Sequence, residues 1–199
     1  MRTAAFLDRD GVLNELVPDR QGGVAESPLR VEDVRLVPGA AAAALRLARA
    51  GHTLVCVSNQ PAAAKGEVSV AQLYAVHRRV VELLAREGVA LDASRLCLHH
   101  PQGVVPELSR SCTCRKPASG MLLDAARELE LDLTNSWMVG DTDADIAAGR
   151  AAGCRTLLIH HPGSAHKRLR VERADMVVAD LAQAVGRLAG GEWKTIAVK

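Results

Sequence analysis

The sequence predicts an α/β fold: a doubly wound, mainly parallel, Rossmann-like sheet with no large cap domain. Short apolar runs alternate with amphipathic ones along most of the chain, the pattern of strands joined by crossover helices. Three of the apolar runs end in small polar or acidic groups: Asp8 and Asp10, Ser58 and Asn59, and Asp141 and Asp145. Between Asp10 and Ser58, and again between Ser58 and Lys116, there is little room for an inserted domain. We take residues 1–189 as one domain and 190–199 as a tail, loose or docked as a strand.

Each element has a local reason. Residues 3–7 are apolar and stop at two acids and Gly11, as a buried strand does where it meets a turn. Residues 14–37 carry Pro18, Gly22, Gly23 and Pro28 and read as a surface loop. An alanine-rich helix over 40–50 follows, closed by Gly51. Residues 53–57 form the second strand. Ser69 and Gln72 make a capping box for a helix with Leu73, Val76, Val80, Leu83 and Leu84 on one stripe, ending at Gly88. Residues 95–98 are a third strand, and an irregular loop runs from there to Pro117, which suits the first turn of the next helix. That helix presents Leu122, Leu123, Ala126 and Leu129. Strands over 137–139, 156–159 and 176–178 and helices over 146–152 and 181–188 complete the alternation.

Composition narrows the functional classes. Apolar residues are 48% and charged residues 24%, ordinary for a globular chain. Lys plus Arg 25 against Asp plus Glu 23 offers no electrostatic case for nucleic acid. The basic run His166-Lys167-Arg168 with Arg170 and Arg173 reads as a solvated loop. No apolar run approaches a membrane span and the first residues lack a signal-peptide core, so a cytoplasmic monomer without membrane or nucleic-acid partners is expected. Five cysteines in such a setting point to metal or burial before disulfides.

In a doubly wound sheet, ligands bind outside the carboxyl ends of the strands. Three strands deliver polar groups to that edge, and the chemistry they allow is phosphoryl transfer. Asp8 is the candidate nucleophile, which would give an aspartyl phosphate. Asp10 is the candidate general acid and then base. Mg²⁺ held by Asp8, the Asp10 carbonyl and Asp141 would neutralise charge on the transferring group. Ser58 and the amides after it suit phosphate oxygens, and Lys116 adds a fixed positive charge.

A second constellation lies in the loop 97–114. Cys97 and His99 stand at one end, Cys112 and Cys114 at the other. Three thiolates and an imidazole satisfy a structural Zn²⁺, and a loop without secondary structure needs such a staple. Cys56 and Cys154 read as core residues, and His77 as packing. His160 and His161 end a strand near the site without an assigned role.

The residues Asp8-x-Asp10-Gly11, Ser58-Asn59, Lys116 and Gly140-Asp141-x-x-x-Asp145 resemble the four motifs of the haloacid dehalogenase superfamily of phosphatases, in the family's order. The resemblance implies Asp8 as nucleophile, Asp10 as acid/base, Lys116 as charge stabiliser and Asp141 as Mg²⁺ ligand, with Asp145 holding Lys116 or the metal's waters. The zinc loop running into Arg115-Lys116-Pro117 is similar to that of the D-glycero-D-manno-heptose 1,7-bisphosphate 7-phosphatase family and the related histidinol-phosphate phosphatases. This likeness implies a phosphorylated sugar substrate contacted by Ser58, Asn59, Gln60, Arg115 and Lys116. The planar fork of Arg115 suits a second phosphate. The chain departs from the heptose pattern at Pro61-Ala62, at Thr142 and in lacking an aromatic in the loop 15–23. A histidinol-phosphate or other small sugar-phosphate phosphatase is the alternative reading. A non-catalytic phospho-acceptor or zinc-binding module is the distant one.

Overall fold

The structure, a computed structural model, describes residues 1–18, 23–169 and 173–188. Six strands, β1 (Ala4–Leu7), β2 (Thr53–Asn59), β3 (Ala93–Cys97), β4 (Trp137–Gly140), β5 (Arg155–Ile159) and β6 (Met176–Val178), form one parallel sheet in the order β3-β2-β1-β4-β5-β6. Chain order runs outward from β1 in one direction, then resumes at β4 on its other side. The crevice beyond the carboxyl ends of β1 and β4 is therefore the topological switch point where such sheets take ligands.

Side-chain alternation explains why helices cover both faces. Ala5, Leu7, Leu54, Cys56, Trp137, Val139, Leu157 and Ile159 point into one core with α1 (Ala40–Arg49), α2 (Val70–Arg86) and α5 (Leu181–Leu188). Ala4, Phe6, Val55, Val57 and Met138 point the other way, against α3 (Gly120–Leu129) and α4 (Asp143–Ala152). Each fully buried large apolar side chain contributes about 1.5–3 kcal/mol, so a strand apolar on both faces is stable only when covered twice.

Several local expectations change. Ser69 Oγ accepts from the Gln72 amide at 3.1 Å, but the Gln72 side chain donates to Leu29 O at 3.1 Å. Half a capping box forms, and Gln72 instead ties α2 to the loop after β1. Pro117 follows a cis peptide and precedes the α3 N-cap Ser119, so it stands outside the helix. The buried face of α3 is accordingly Met121, Leu122, Ala125 and Ala126, while Leu123 is exposed. The basic segment after β5 is no plain solvated loop: Pro162–Lys167 is a 3-10 turn and Ser164 is buried. Arg170 and the tail from Gly190 lie outside the described residues. No helix among the described residues is long and apolar enough to cross a membrane.

Candidate active site

The end of β1 sets the floor of the site. The Asp8 amide still belongs to the sheet, donating to Val139 O at 2.9 Å, after which the chain turns through Gly11. Gly11 has φ +83°, and a Cβ there would stand 2.1 Å from Asp141 Oδ2, so no side chain fits between the two loops. Lys116 reaches in from the loop before α3 and is fully enclosed. Its Nζ lies 2.9 Å from Asp8 Oδ1 and 2.6 Å from Asp145 Oδ1, and donates to Val57 O at 2.7 Å. Burial pulls the Lys116 ammonium down, but Asp145 and Asp8 outweigh it and hold the group charged. Asn59 fixes the Lys116 backbone from the end of β2: its Nδ2 donates to Lys116 O at 2.9 Å, and its Oδ1 accepts from Lys116 N at 3.0 Å. Its amide therefore serves Lys116 directly.

Little among the described residues offsets the Asp141 charge: burial and the neighbouring carboxylates raise its pKa more than Ser164 and Lys116 lower it. It is 1% exposed, and neither carboxylate oxygen has a hydrogen-bond partner among the described residues. Asp8, Asp141 and Asp145 each bring an oxygen within 4.8 Å of the others. Burial and then Asp145 push Asp8 up to about 7, against the pull of Lys116. Burial, Asp8 and Asp145 push Asp141 up to about 8. Three buried carboxylates facing one ammonium are short of positive charge. A hard divalent cation such as Mg²⁺, with oxygen ligands, matches that donor set. Asp145 is otherwise engaged: its Oδ2 accepts from the Thr142 amide at 3.0 Å and the Thr142 hydroxyl at 2.6 Å, at the first turn of α4. That leaves Asp8 and Asp141 facing any cation. Ser164 Oγ and Arg168 Nη1 donate to Asp141 O at 3.2 and 3.0 Å, so the turn after β5 steadies the same loop.

Asp10 is the most heavily solvated by protein. Arg9 donates to it through Nε and Nη2 at 3.1 Å each, Asn14 at 2.9 Å, Ser27 at 2.9 Å and Gln60 at 2.6 Å. Burial alone would raise its pKa, but the Arg9 guanidinium and the hydrogen bonds from Asn14, Arg9 and Ser27 hold it below the usual carboxylate range. Gln60 is itself buried and also donates to Ser58 Oγ at 3.0 Å, so its amide nitrogen faces the protein. Arg9, Asn14 and Ser27 are residues at the site that sequence reasoning missed, and Thr142 was noted there only as a departure from the heptose pattern, with no role. Arg9 is fully buried, and only its position inside the Asp-x-Asp pair signalled it.

A cavity of about 280 Å³ opens on this floor, lined by Asp8, Asp10, Ser58, Asn59, Arg115, Lys116, Asp141 and Asp145 together with further residues of the flanking loops. Neither His160 nor His161 is among its lining residues. His161 Nδ1 accepts from the Gly163 amide and so caps the turn after β5.

The loop before Lys116 gathers the second set. Cys114 Sγ lies 3.1 Å from Cys97 Sγ and 3.2 Å from Cys112 Sγ, and Cys97 Sγ is 3.6 Å from Cys112 Sγ. His99 Nδ1 stands 3.4 Å from Cys114 Sγ and 3.8 Å from Cys97 Sγ, while its Nε2 faces Arg110 at 2.9 Å. Cys97, Cys112 and Cys114 are free thiols. The spacings are near the roughly 3.7 Å edge that tetrahedral Zn–S bonds of ~2.3 Å would set. Burial pushes Cys97 and Cys114 above the ordinary thiol range, whereas hydrogen bonds bring Cys112 below it. A soft cation would let all three ionise, and the donor set fits zinc.

The HAD-hydrolase-like family model matches residues 113–184. The chain is 41% identical to a D-glycero-D-manno-heptose-1,7-bisphosphate 7-phosphatase of Thermosynechococcus vestitus, over 92% of this chain and 94% of that one. It is 37% identical to the D-glycero-beta-D-manno-heptose-1,7-bisphosphate 7-phosphatase of Escherichia coli, over 92% and 93%. The chain belongs to the heptose-bisphosphate phosphatase family. A solved member, the D,D-heptose 1,7-bisphosphate phosphatase from B. bronchiseptica complexed with magnesium and phosphate, superposes with a TM-score of 0.77 at 32% identity, covering 94% of this chain and 98% of that one. The family is thus HAD-type phosphatases built on this parallel sheet without a large cap.

Proposed function

We propose that this chain hydrolyses a sugar phosphate monoester through an aspartyl-phosphate intermediate, with the 7-phosphate of D-glycero-D-manno-heptose 1,7-bisphosphate as substrate. The substrate follows the names of its relatives. The chemistry rests on one observation: the Asp8 carboxylate meets Lys116 Nζ at 2.9 Å on the floor of a cavity, beside an Asp141 carboxylate with no hydrogen-bond partner among the described residues. Asp8 attacks phosphorus; its O–P bond forms as the P–O bond to the sugar breaks, and Asp10 gives the departing oxygen a proton. Water then attacks phosphorus, Asp10 takes its proton, and Asp8 leaves as a carboxylate with free phosphate released. Held as it is by Arg9, Asp10 suits the base step. For the acid step it turns from that fork toward the cavity, which weakens the Arg9 interaction, the largest of those that lower its pKa.

Lys116 balances the charge that builds on the phosphoryl oxygens. The Ser58 hydroxyl and the amides after β2 hold those oxygens, and Arg115 holds the second phosphate. Asp8, the Asp10 carbonyl and Asp141 would hold Mg²⁺, which when bound spreads negative charge from the transferring group. Cys97, His99, Cys112 and Cys114 would hold a structural Zn²⁺. The catalytic domain is assigned to residues 1–189.

Parallel assays of Mg²⁺-dependent phosphate release from heptose 1,7-bisphosphate and histidinol phosphate test the reading. A clear preference for the bisphosphate is expected, with Asp8→Asn slower by at least about 10³-fold. A preference for histidinol phosphate would move the chain to that related activity. Unchanged release by Asp8→Asn would remove the nucleophile.

A further inference from the structure

The geometry points to Lys167 as a specificity residue for the distal phosphate of a bisphosphorylated sugar, with Glu26 occupying that cation until substrate arrives. This rests on the phosphatase reading above and adds to it residues that no motif of the chain singles out. Lys65, Arg115, Lys116 and Lys167 all line the cavity that opens on Asp8. Lys116 is committed to Asp8 and Asp145 and has no freedom to reach outward. The side chains of Lys65 and Lys167 are about half and one-third exposed, so they face the open part of the same space.

What distinguishes Lys167 is its partner. Its Nζ lies 2.7 Å from Glu26 Oε2, and His166 Nε2 stands 3.8 Å from Glu26 Oε1. Glu26 also lines the cavity, whereas Glu67, the partner of Lys65 at 3.9 Å, does not. Four of the carboxylates lining the cavity, those of Asp8, Asp10, Asp141 and Asp145, are buried; Glu26 is exposed.

Both ends of the Glu26–Lys167 pair have firm anchors. The Glu26 backbone exchanges two hydrogen bonds with Val17, at 2.8 and 3.0 Å. The turn that carries Lys167 is fastened to the Asp141 carbonyl through Ser164 and Arg168. The pair therefore joins two loops 141 residues apart in sequence across one mouth. An exposed carboxylate–ammonium pair is weakly held and open to exchange. A phosphate brings more charge and more acceptor oxygens than a carboxylate, and an ammonium binds it as a point charge. An incoming phosphate thus displaces Glu26 from Lys167, and a substrate with a single phosphate at the catalytic end does not.

Steady-state kinetics on the 1,7-bisphosphate and on the 7-monophosphate test this, using the full-length chain with saturating Mg²⁺. Lys167→Met should raise KM for the bisphosphate about tenfold and shrink its advantage over the monophosphate by the same factor. Glu26→Gln should lower KM for the bisphosphate severalfold, because the competitor is gone. The double variant should behave as Lys167→Met does. A strut that merely holds the two loops together would shift KM in the same direction for both single variants and on both substrates, and that result overturns the inference. So does an unchanged KM in Lys167→Met, with the phosphatase reading left intact. Absence of phosphate release from the bisphosphate by the unsubstituted chain sinks the reading and the inference together.

Discussion

Four aspartates meet at one cavity, and their neighbours decide what each can do. Asp10 accepts five hydrogen bonds and is held below the usual carboxylate range, whereas the Asp141 carboxylate has no hydrogen-bond partner among the described residues and is pushed up to about 8. Asp145 divides its two oxygens between Lys116 and Thr142, a positioning task, and Asp8 retains one side toward the open cavity. Behind them, His77 lies on the buried face of α2, and its Nδ1 has no hydrogen-bond partner among the described residues. Burial, then the nearby Arg9 charge, lowers its pKa to about 4, with Asp10 opposing weakly. A base whose folded pKa lies below its unfolded value, about 6.5, binds its proton more readily when unfolded. Stability should therefore be complete above about pH 6.5 and fall by roughly 2–3 kcal/mol as pH drops toward 4. Chemical denaturation at a series of pH values checks this, and His77→Gln should flatten that part of the profile. An equal slope in the variant would assign the loss to other groups.

At the scale of elements, the loop between β3 and α3 matters most, because it delivers Lys116. Its two ends are drawn together at Cys97, His99, Cys112 and Cys114, and Gly120 at the head of α3 packs so closely that a Cβ would lie 2.3 Å from Thr113 O. Metal analysis should find about one zinc per chain. Cys114→Ser should lose it, with a lower Tm and a drop in kcat on the order of tenfold as Lys116 loses its fixed approach. A folded, fully active protein without zinc would contradict the assignment. The paired Cys-x-His and Cys-x-Cys were legible in the sequence because thiols and imidazole at a loop's two ends have few other uses. Element starts were less so. Helix α4 begins at Asp143 rather than three residues later because Thr142 and Asp145 bond each other, a contact that the acidic run concealed. Pro117 suggested a helix start, yet the backbone turns there and the helix waits for Ser119.

Over the whole molecule, the strand order β3-β2-β1-β4-β5-β6 brings Asp8, Ser58 and Asp141 to one edge although they come from distant stretches of chain. That much could be read in advance, since buried parallel strands are apolar throughout and their polar endings stand out. The walls could not. Glu26 and Ser27 sit in an irregular segment and Lys167 ends a short 3-10 turn, their polarity is ordinary for a surface, and only folding shows that they face the same cavity. Arg9 was equally hidden, because a charged residue is seldom fully buried unless a partner such as Asp10 awaits it. The account as a whole depends on a covalent bond between Asp8 and phosphorus. Rapid mixing of enzyme and substrate, followed by borohydride quench and peptide mass spectrometry, detects it most directly. Reduction of an aspartyl phosphate should convert residue 8 to homoserine in proportion to the trapped intermediate. Turnover under those conditions with residue 8 unmodified, or with the modification on another carboxylate, would contradict the account.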